Sequence, residues 1–246
     1  ETQGGLIEKT SETDITLVLH PQAKPDNITY SIPSEVTIIA GYAFYGQTHL
    51  KYIEMNEKVH TINEYAFNGM TQLRTITLPT SLTTIKQEAF TMCSSLRMVV
   101  IKNRSNEITV EDNTKIFDEN TNLKIYSFAG YSKESLSGKT IAKTITRFGT
   151  ETNTIHWIYL NDNSMIVYGI GEMTNYTESQ RSEWNQYNET CESITIDEYI
   201  TTIGSYSFMG FKQLKTITIP TTVTTIGEYI LRQCISLTSI SVDANN

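Results

Sequence analysis

The sequence lacks the features that mark several large classes of protein. It has no run of apolar residues approaching the roughly 20 that a membrane-spanning helix needs, so we expect no membrane insertion by this chain. Acidic residues outnumber basic ones, 27 to 19, and no cluster of Lys or Arg relieves the net charge of −8. These properties argue against a nucleic-acid partner, because binding to phosphates requires positive charge.

Cysteine is scarce, and the three that occur form no recognisable framework. Cys93, Cys191 and Cys234 lie far apart, without a C-x-x-C motif or a Cys/His pair. The spacing therefore indicates neither a disulfide pattern nor a metal site, and we interpret each residue as a small buried hydrophobe. We expect no cofactor.

Signatures of catalysis are also missing. The four histidines stand alone, and the sequence holds no HExxH, GxSxG or glycine-rich phosphate-binding motif. The remaining enzymatic hypothesis places a site between residues 103 and 190, where several carboxylates could pair: Glu111, Asp112, Asp118 and Glu119. They lie in a polar stretch in which solvated charge is the ordinary explanation. The chain is therefore predicted not to be an enzyme.

What the sequence does contain is a repeat of 23 residues. Apolar positions recur at this interval in two stretches: Leu50, Leu73 and Leu96; Ile53, Ile76 and Val99; Ile39, Ile62 and Ile85; Phe44, Phe67 and Phe90; and later Leu214 and Leu237, Ile203 and Ile226, Phe208 and Leu231. A repeat of this length is typical of a solenoid, in which each coil buries its apolar face against its neighbours.

Each repeat has three parts. The alternation in Leu73–Leu78 predicts a strand with one buried face, which Pro79 ends because proline cannot donate to a ladder. Leu82–Ile85 predicts a short strand or turn on the opposite side of the coil, and Glu64–Phe67 predicts a brief helical turn that places its Phe in the core. The predicted core is Phe44, Phe67, Phe90 and Phe208 with Leu73, Leu96, Leu214 and Leu237.

This pattern resembles the leucine-rich repeats of the BspA-like type, found in surface proteins of bacteria and of some protozoan parasites. Leu73–Phe90 and Leu214–Cys234 carry the resemblance most clearly, and the cysteine of that repeat is present as Cys93 and Cys234. The resemblance implies a leucine-rich repeat solenoid, mainly β with short helical turns. It also implies an extracellular or cell-surface protein, secreted or displayed, whose role is adhesion, protein binding and host interaction.

The repeat is interrupted, which predicts five segments. Residues 1–27 form a leading segment, 28–102 the first leucine-rich repeat array, and 103–150 a closing cap or linker with a short helix at Lys133–Lys143. In residues 151–190, Ile155–Leu160 and Met165–Ile170 predict a β-hairpin that caps the second array, followed by an exposed connection over 171–190. Residues 191–246 form the second array. Trp157 and Trp184 are expected in the core of the hairpin cap.

The outward strand positions are the candidate ligand-binding surface, because stacked strands form a continuous sheet. They are Tyr52, Glu54, Asn56, Thr75, Thr77, Met98, Val100 and Lys102 in the first array, and Thr195, Asp197, Thr216 and Thr218 in the second. Tyr52, Met98 and Val100 would be apolar groups left in water, which favours the first array for binding. The second array is a Ser/Thr ladder that cross-strand pairing explains equally well.

These observations favour a non-enzymatic cell-surface interaction module that binds a protein or glycoprotein of a host or its extracellular matrix. The alternative is a rigid architectural spacer within a larger surface protein. Leu237–Val242 begins a further coil, so its open edge predicts either self-association or a longer array from which the chain is a fragment. The chain carries no leader, but leaders are removed on secretion and the absence decides nothing.

Overall fold

The computed structural model describes residues 5–19, 28–104, 108–110, 115–117, 120, 122–128, 135–136, 139–152 and 154–243. It divides into two compact units, Glu1–Thr144 (unit 1) and Ile145–Asn246 (unit 2). The described residues of both units form short strands joined by turns, and the helical content assigned among them is a 3-10 helix at Glu183–Tyr187. The fold is thus the mainly β leucine-rich repeat solenoid that the repeat predicts.

Two ladders of parallel strands run along unit 1. Its strands are β1 (Leu6–Lys9), β2 (Ile15–Leu19), β3 (Thr29–Ser31), β4 (Ile38–Ile39), β5 (Tyr52–Glu54), β6 (Thr61–Ile62), β7 (Thr75–Leu78), β8 (Thr84–Ile85), β9 (Met98–Ile101), β10 (Thr109–Val110), β11 (Lys124–Phe128) and β12 (Ser135–Leu136), with β13 (Lys139–Thr150) beginning there. The longer strands pair so that Ile76, Val99 and Ile125 align. The two-residue strands stack on the other side, where Ile39, Ile62 and Ile85 align.

A row of stacked phenylalanines fills the space between the ladders of unit 1. The ring centroids of Phe44 and Phe67 are 5.0 Å apart, those of Phe67 and Phe90 are 4.9 Å apart, and Phe117 continues the row 5.5 Å beyond Phe90. All four side chains are buried among the aligned Leu and Ile residues of successive coils. The core of each coil is therefore completed by the phenylalanine ring of the next coil, which packs against its own.

The cysteines at the repeat's inward position add a side-chain hydrogen bond to a backbone carbonyl of the preceding coil. The Cys93 thiol donates to the carbonyl of Phe67 at 3.1 Å, and the Cys234 thiol donates to the carbonyl of Phe208 at 3.2 Å. Burial raises the pKa of Cys93 to about 12, so the thiol keeps its proton and serves as a donor. All three cysteines are free, and Cys93 and Cys191 are buried.

Unit 2 begins with the antiparallel hairpin that the sequence predicts. Its strands are β14 (Ile155–Leu160), β15 (Ser164–Gly169), β16 (Gly171–Glu172), β17 (Ser193–Ile196), β18 (Ile200–Ile203), β19 (Thr216–Pro220), β20 (Thr225–Ile226) and β21 (Ser239–Asp243), preceded by the end of β13. β14 and β15 form the hairpin, after which β15, β17, β19 and β21 pair in parallel. The inward residues of the hairpin join the core of the following coils.

Trp157 and Trp184 both lie in this core, as expected. Trp184 donates its indole N–H to the carbonyl of Ser207 at 2.8 Å, and its ring lies 5.9 Å from Phe208, the position that Phe takes in other coils. Trp157 fits because Gly149 faces it on β13: a Cβ there would come within 2.3 Å of the indole.

Two local predictions are wrong. The described part of Lys133–Lys143 is not helical but forms β12 and the start of β13, which pair antiparallel, because Thr140 and Ile141 are β-branched and favour strand. Residues 171–190 are not simply an exposed connection. They contain β16 and the 3-10 helix, and they bury Met173 and Trp184 because a coil without a Phe needs another large side chain in the core.

Candidate binding surfaces

The outward strand face of unit 1 is largely closed to water. Tyr52 is 5% exposed, Met98 7% and Val100 0%, and Thr75 is buried as well. The expectation that Tyr52, Met98 and Val100 are left in water is therefore wrong. Val100 aligns with Thr77 on one side and with the buried Tyr126 on the other.

The polar residues predicted on this face mostly contact the protein itself. The Asn56 amide donates to the carbonyls of Pro33 at 2.6 Å and Val36 at 3.0 Å, which fixes the turn after β5. Glu54 accepts a hydrogen bond from Ser31 at 2.9 Å. Thr77 and Glu54 are partly exposed. The face therefore offers a ligand far fewer free groups than its sequence suggests.

Lys102 lies at the edge of the unit 1 face, in an ion pair with Glu57. Glu57 also accepts hydrogen bonds from the backbone N–H of Thr80 at 3.0 Å and from its hydroxyl at 2.7 Å. Burial raises the pKa of Glu57, but the hydrogen bonds from Lys102 and Thr80 outweigh it and hold the pKa below its ordinary value. This network ties three successive coils together.

The strand face of unit 2 is open and polar. Thr195 and Thr216 are exposed, Thr218 and Asp197 partly so, and the side chains form rows across the strands. One row aligns Ser193, Thr216 and Ser239, and the next aligns Thr195, Thr218 and Ser241. The hydroxyls of Thr218 and Ser241 are 3.1 Å apart, and an ion pair between Lys215 and Glu192 at 2.6 Å flanks the rows. The face is a regular lattice of hydroxyl groups with charge at its border.

A second exposed surface lies on the turns that carry the core phenylalanines. These turns are not helical, contrary to expectation, because each contains two residues in a left-handed conformation. The first of the two is Tyr42, Tyr65, Glu88, Tyr206 or Tyr229, with φ between 54° and 62°. Successive turns are joined by backbone hydrogen bonds, such as Tyr42 N–H to the carbonyl of Glu64 at 3.2 Å. Side chains at this position therefore stack along the solenoid.

The tyrosines of these turns are the residues that sequence reasoning missed. The Tyr42 and Tyr65 rings are stacked with centroids 5.0 Å apart, and the Tyr45 ring lies 5.5 Å from Tyr42. Tyr42 is 52% exposed and Tyr45 56%. The available signal was the 23-residue interval between Tyr42 and Tyr65, repeated between Tyr206 and Tyr229. We call Tyr42, Tyr45 and Tyr65 the tyrosine cluster.

The last coil of unit 2 leaves core positions open. Ile226, Ile240 and Val242 are exposed, at 54%, 55% and 61%. Leu231 and Leu237 are only partly buried against the core. In an inner coil, the next repeat covers the same positions.

In the described residues, two kinds of feature would indicate metal or membrane chemistry: groups of metal ligands and helices that could span a membrane. No group of three or more His, Cys, Asp or Glu side chains in this part of the chain is arranged to hold a metal ion. A helix long and apolar enough to cross a membrane is likewise not found among the residues that the structure covers. The carboxylates of the enzymatic hypothesis, Glu111, Asp112, Asp118 and Glu119, lie outside the described residues.

Comparison with protein families agrees with the geometry of the coils. The model of the BspA-type leucine-rich repeat region matches residues 24–131 and 183–246, in six copies. The chain belongs to this family. Proteins of the family are repeat scaffolds of bacterial surface proteins and are in general not enzymes, and leucine-rich repeat proteins generally bind other proteins. None of the curated proteins compared with the chain matches it.

Several solved structures are similar to this chain. A leucine-rich repeat protein of T. pallidum is 16% identical, with 96% of this chain and 88% of that chain covered and a TM-score of 0.42. The pneumococcal vaccine antigen PcpA is 14% identical, with 97% and 79% covered and a TM-score of 0.36. A leucine-rich repeat protein of Bacteroides ovatus is 18% identical, with 95% and 72% covered and a TM-score of 0.33.

Proposed function

We propose that this protein is a non-enzymatic interaction module of a cell surface, which adheres to a protein or glycoprotein of a host or of its extracellular matrix. The observation that carries the proposal is the open strand face of unit 2. Its exposed rows of Ser and Thr hydroxyls lie on a rigid parallel sheet, with a charged border formed by Lys215 and Glu192. Extended faces of this kind are the surfaces that solenoids use for binding.

The chemistry of this face favours a polar ligand. Hydroxyl groups both donate and accept hydrogen bonds, so the rows can meet the amide and hydroxyl groups of a glycoprotein without a fixed polarity. Because their spacing is set by the sheet, binding costs little ordering of the protein. On the unit 1 face, we retain Glu54, Thr77 and Lys102 as secondary candidates, since Tyr52, Thr75, Met98 and Val100 are buried. The proposed location is extracellular, secreted or displayed at the surface.

The test is a binding screen of the purified chain against immobilised matrix proteins and glycoproteins, with two matched variants. Thr195→Arg/Thr216→Arg places two bulky side chains on the proposed face. Thr224→Arg/Thr225→Arg places the same change on exposed threonines of the opposite ladder. We expect saturable binding that is lost only in the first variant. Equal loss in both variants, or in neither, would contradict the proposed face.

The second candidate is an architectural spacer. It is favoured by the way in which the unit 1 face is occupied by the protein's own contacts, such as those of Asn56 and Glu57. A spacer would show no binding to the immobilised proteins even at a concentration of about 10 μM, at which most specific complexes form. Recognition would then belong to other parts of a larger surface protein.

Self-association through the last coil is a further part of the proposal. The exposed core positions Ile240 and Val242 lie on the edge strand β21, and Ile226 lies on β20, which makes this end suited to pairing. Light scattering at rising concentration should show a dimer that Ile240→Lys/Val242→Lys dissociates. A strict monomer would instead favour cover by a further repeat of a longer array.

A further inference from the structure

Tyr42 and Tyr65 of the tyrosine cluster adopt an unfavourable backbone conformation, and packing in the core does not explain why tyrosine is used there. A bulky residue at positive φ is strained, and glycine or asparagine is the usual occupant of such a position. Of the five aligned turn residues that the structure describes, four are tyrosine, one is glutamate, and none is glycine or asparagine. Tyr42 and Tyr45 are more than half exposed, so burial of the rings does not account for their use. Strained residues that persist at a surface indicate a role for the side chain.

Unit 2 shows what such a tyrosine can bind. Tyr229 occupies the same turn position as Tyr42, with a φ of 57° and the same exposure of 52%. The guanidinium carbon of Arg232 lies over its ring, 5.5 Å from the centroid. The face of an aromatic ring attracts a cation because its π-electrons are negative there. The protein therefore already places an arginine on one tyrosine of this series.

Unit 1 has the rings without that arginine. The residue three positions after Tyr42, equivalent to Arg232, is Tyr45, which adds a ring in place of the cation. The turn segments 40–50 and 63–73 contain Glu64 and no Lys or Arg. In the next coil, Glu88 accepts a hydrogen bond from the Tyr65 hydroxyl at 3.2 Å, which adds a carboxylate to the cluster's border. The cluster is thus aromatic, and the adjoining turn segments carry the carboxylates of Glu64 and Glu88 together with the ammonium group of Lys86.

We propose that Tyr42, Tyr45 and Tyr65 form a binding site for an arginine side chain presented by a partner protein. The guanidinium would lie on the Tyr42 and Tyr45 rings, as Arg232 lies on Tyr229, and the carboxylates of Glu64 and Glu88 would supply the opposite charge. Arginine fits better than lysine, because its planar, weakly hydrated group stacks on aromatic rings. This site lies on a different surface from the strand face and can be tested whether or not the strand face binds.

The experiment titrates the whole chain with a capped Gly-Arg-Gly-Arg-Gly peptide, followed by calorimetry, with the lysine peptide as a comparison. We expect saturable binding of one arginine peptide, weaker binding of the lysine peptide, and only partial weakening between about 0.02 M and 0.15 M salt. Tyr42→Asn removes the ring and suits a left-handed backbone, so it should keep the melting temperature and lose affinity roughly three- to tenfold. Tyr45→Ala, at an exposed position with ordinary φ, is the second variant and should lose a similar factor.

The matched control uses the equivalent tyrosine of unit 2. Tyr229→Asn makes the same change at the same backbone position, but its ring is already occupied, so peptide affinity should not change. Arg232→Gln uncovers that ring and should raise the number of peptides bound from one to two. The proposal is overturned if the peptide does not saturate, if Tyr229→Asn weakens binding as much as Tyr42→Asn and Tyr45→Ala, or if only saccharides bind the cluster.

Discussion

The strand faces of the two units differ, although their repeats follow the same pattern. In unit 1 the outward side chains Met98 and Val100 of β9 and Tyr126 of β11 are buried. In unit 2 the outward side chains Thr216 of β19 and Ser239 of β21 are exposed. The position of a residue within the repeat therefore determines in which direction its side chain points. Strand spacing is alike in the two units, so it does not by itself determine whether water reaches that side chain.

The same change occurs within unit 2. All six residues of Ile155–Leu160 in β14 are buried, whereas in β17 the residues Ser193 and Thr195 on one face remain accessible. The core of unit 2 contains Ile155, Trp157 and Tyr159 on the inward face, so the burial of Ile158 and Leu160 belongs to the other face. A solenoid unit can therefore begin with strands covered on both faces and continue with strands covered on one.

Truncating the shared core should have the largest effect and should be alike in both units. Phe67→Ala removes a ring stacked between Phe44 and Phe90, and Phe208→Ala removes one packed on Trp184. We expect each to lower the free energy of unfolding by about 3–5 kcal/mol, because both leave a cavity in a packed core. Denaturant titration measures this, with the exposed Tyr45→Ala as control. A loss below about 1 kcal/mol in one unit would show that its ring row is not core.

Substitution on the strand faces tests the comparison itself. Met98→Ala should cost about 2–3 kcal/mol, because the side chain is buried although it points outward. Thr216→Ala changes the equivalent outward position of β19, which is exposed. It should alter the free energy of unfolding by no more than about 0.5 kcal/mol. The two variants are compared by the midpoint of urea unfolding. Similar losses in both would remove the distinction between the faces.

The sequence predicts the coil well because the 23-residue interval between core positions is fixed by the order of residues along the chain. Leu73, Ile76 and Phe67 take their places in the core since each coil must bury the same positions against the next. The sequence also indicates which strand is buried on both faces, through a feature other than the alternation of apolar and polar residues. Met98–Ile101 is a run of four apolar residues, which is typical of a strand buried on both faces, whereas Ser193–Ile196 and Thr216–Ile219 alternate.

The candidate sites were harder to predict, for physical reasons. Tyr52 lies at an outward position in an alternating segment, and nothing local in the sequence shows that its ring is buried. The tyrosine cluster depends on left-handed turns. Gly46 and Gly69 indicate the second left-handed residue of each turn, but the bulky Tyr42 and Tyr65 give no such indication for the first. Trp184 was expected in the core, but its place in the Phe row of unit 2 follows only from the three-dimensional packing on Phe208.

The smallest expected effect concerns the ion pairs at the borders of the two faces. Hydrogen bonds from Lys102 and Thr80 hold the pKa of Glu57 below its ordinary value in spite of partial desolvation, and Lys215 lowers that of Glu192. Both carboxylates are about half exposed, but the Lys102 side chain is 20% exposed and that of Lys215 55%. A carboxyl with a lowered folded pKa contributes stability above the unfolded pKa near 4.5, and loses it as the pH falls through the folded value. Lys102→Met should therefore cost roughly 0.5–1 kcal/mol at pH 7, with acid unfolding shifted to higher pH. Lys215→Met should shift acid unfolding in the same direction but by much less, because solvent screens the more exposed Lys215. Equal shifts in both variants would show that the border of the unit 1 face is as open to water as that of unit 2.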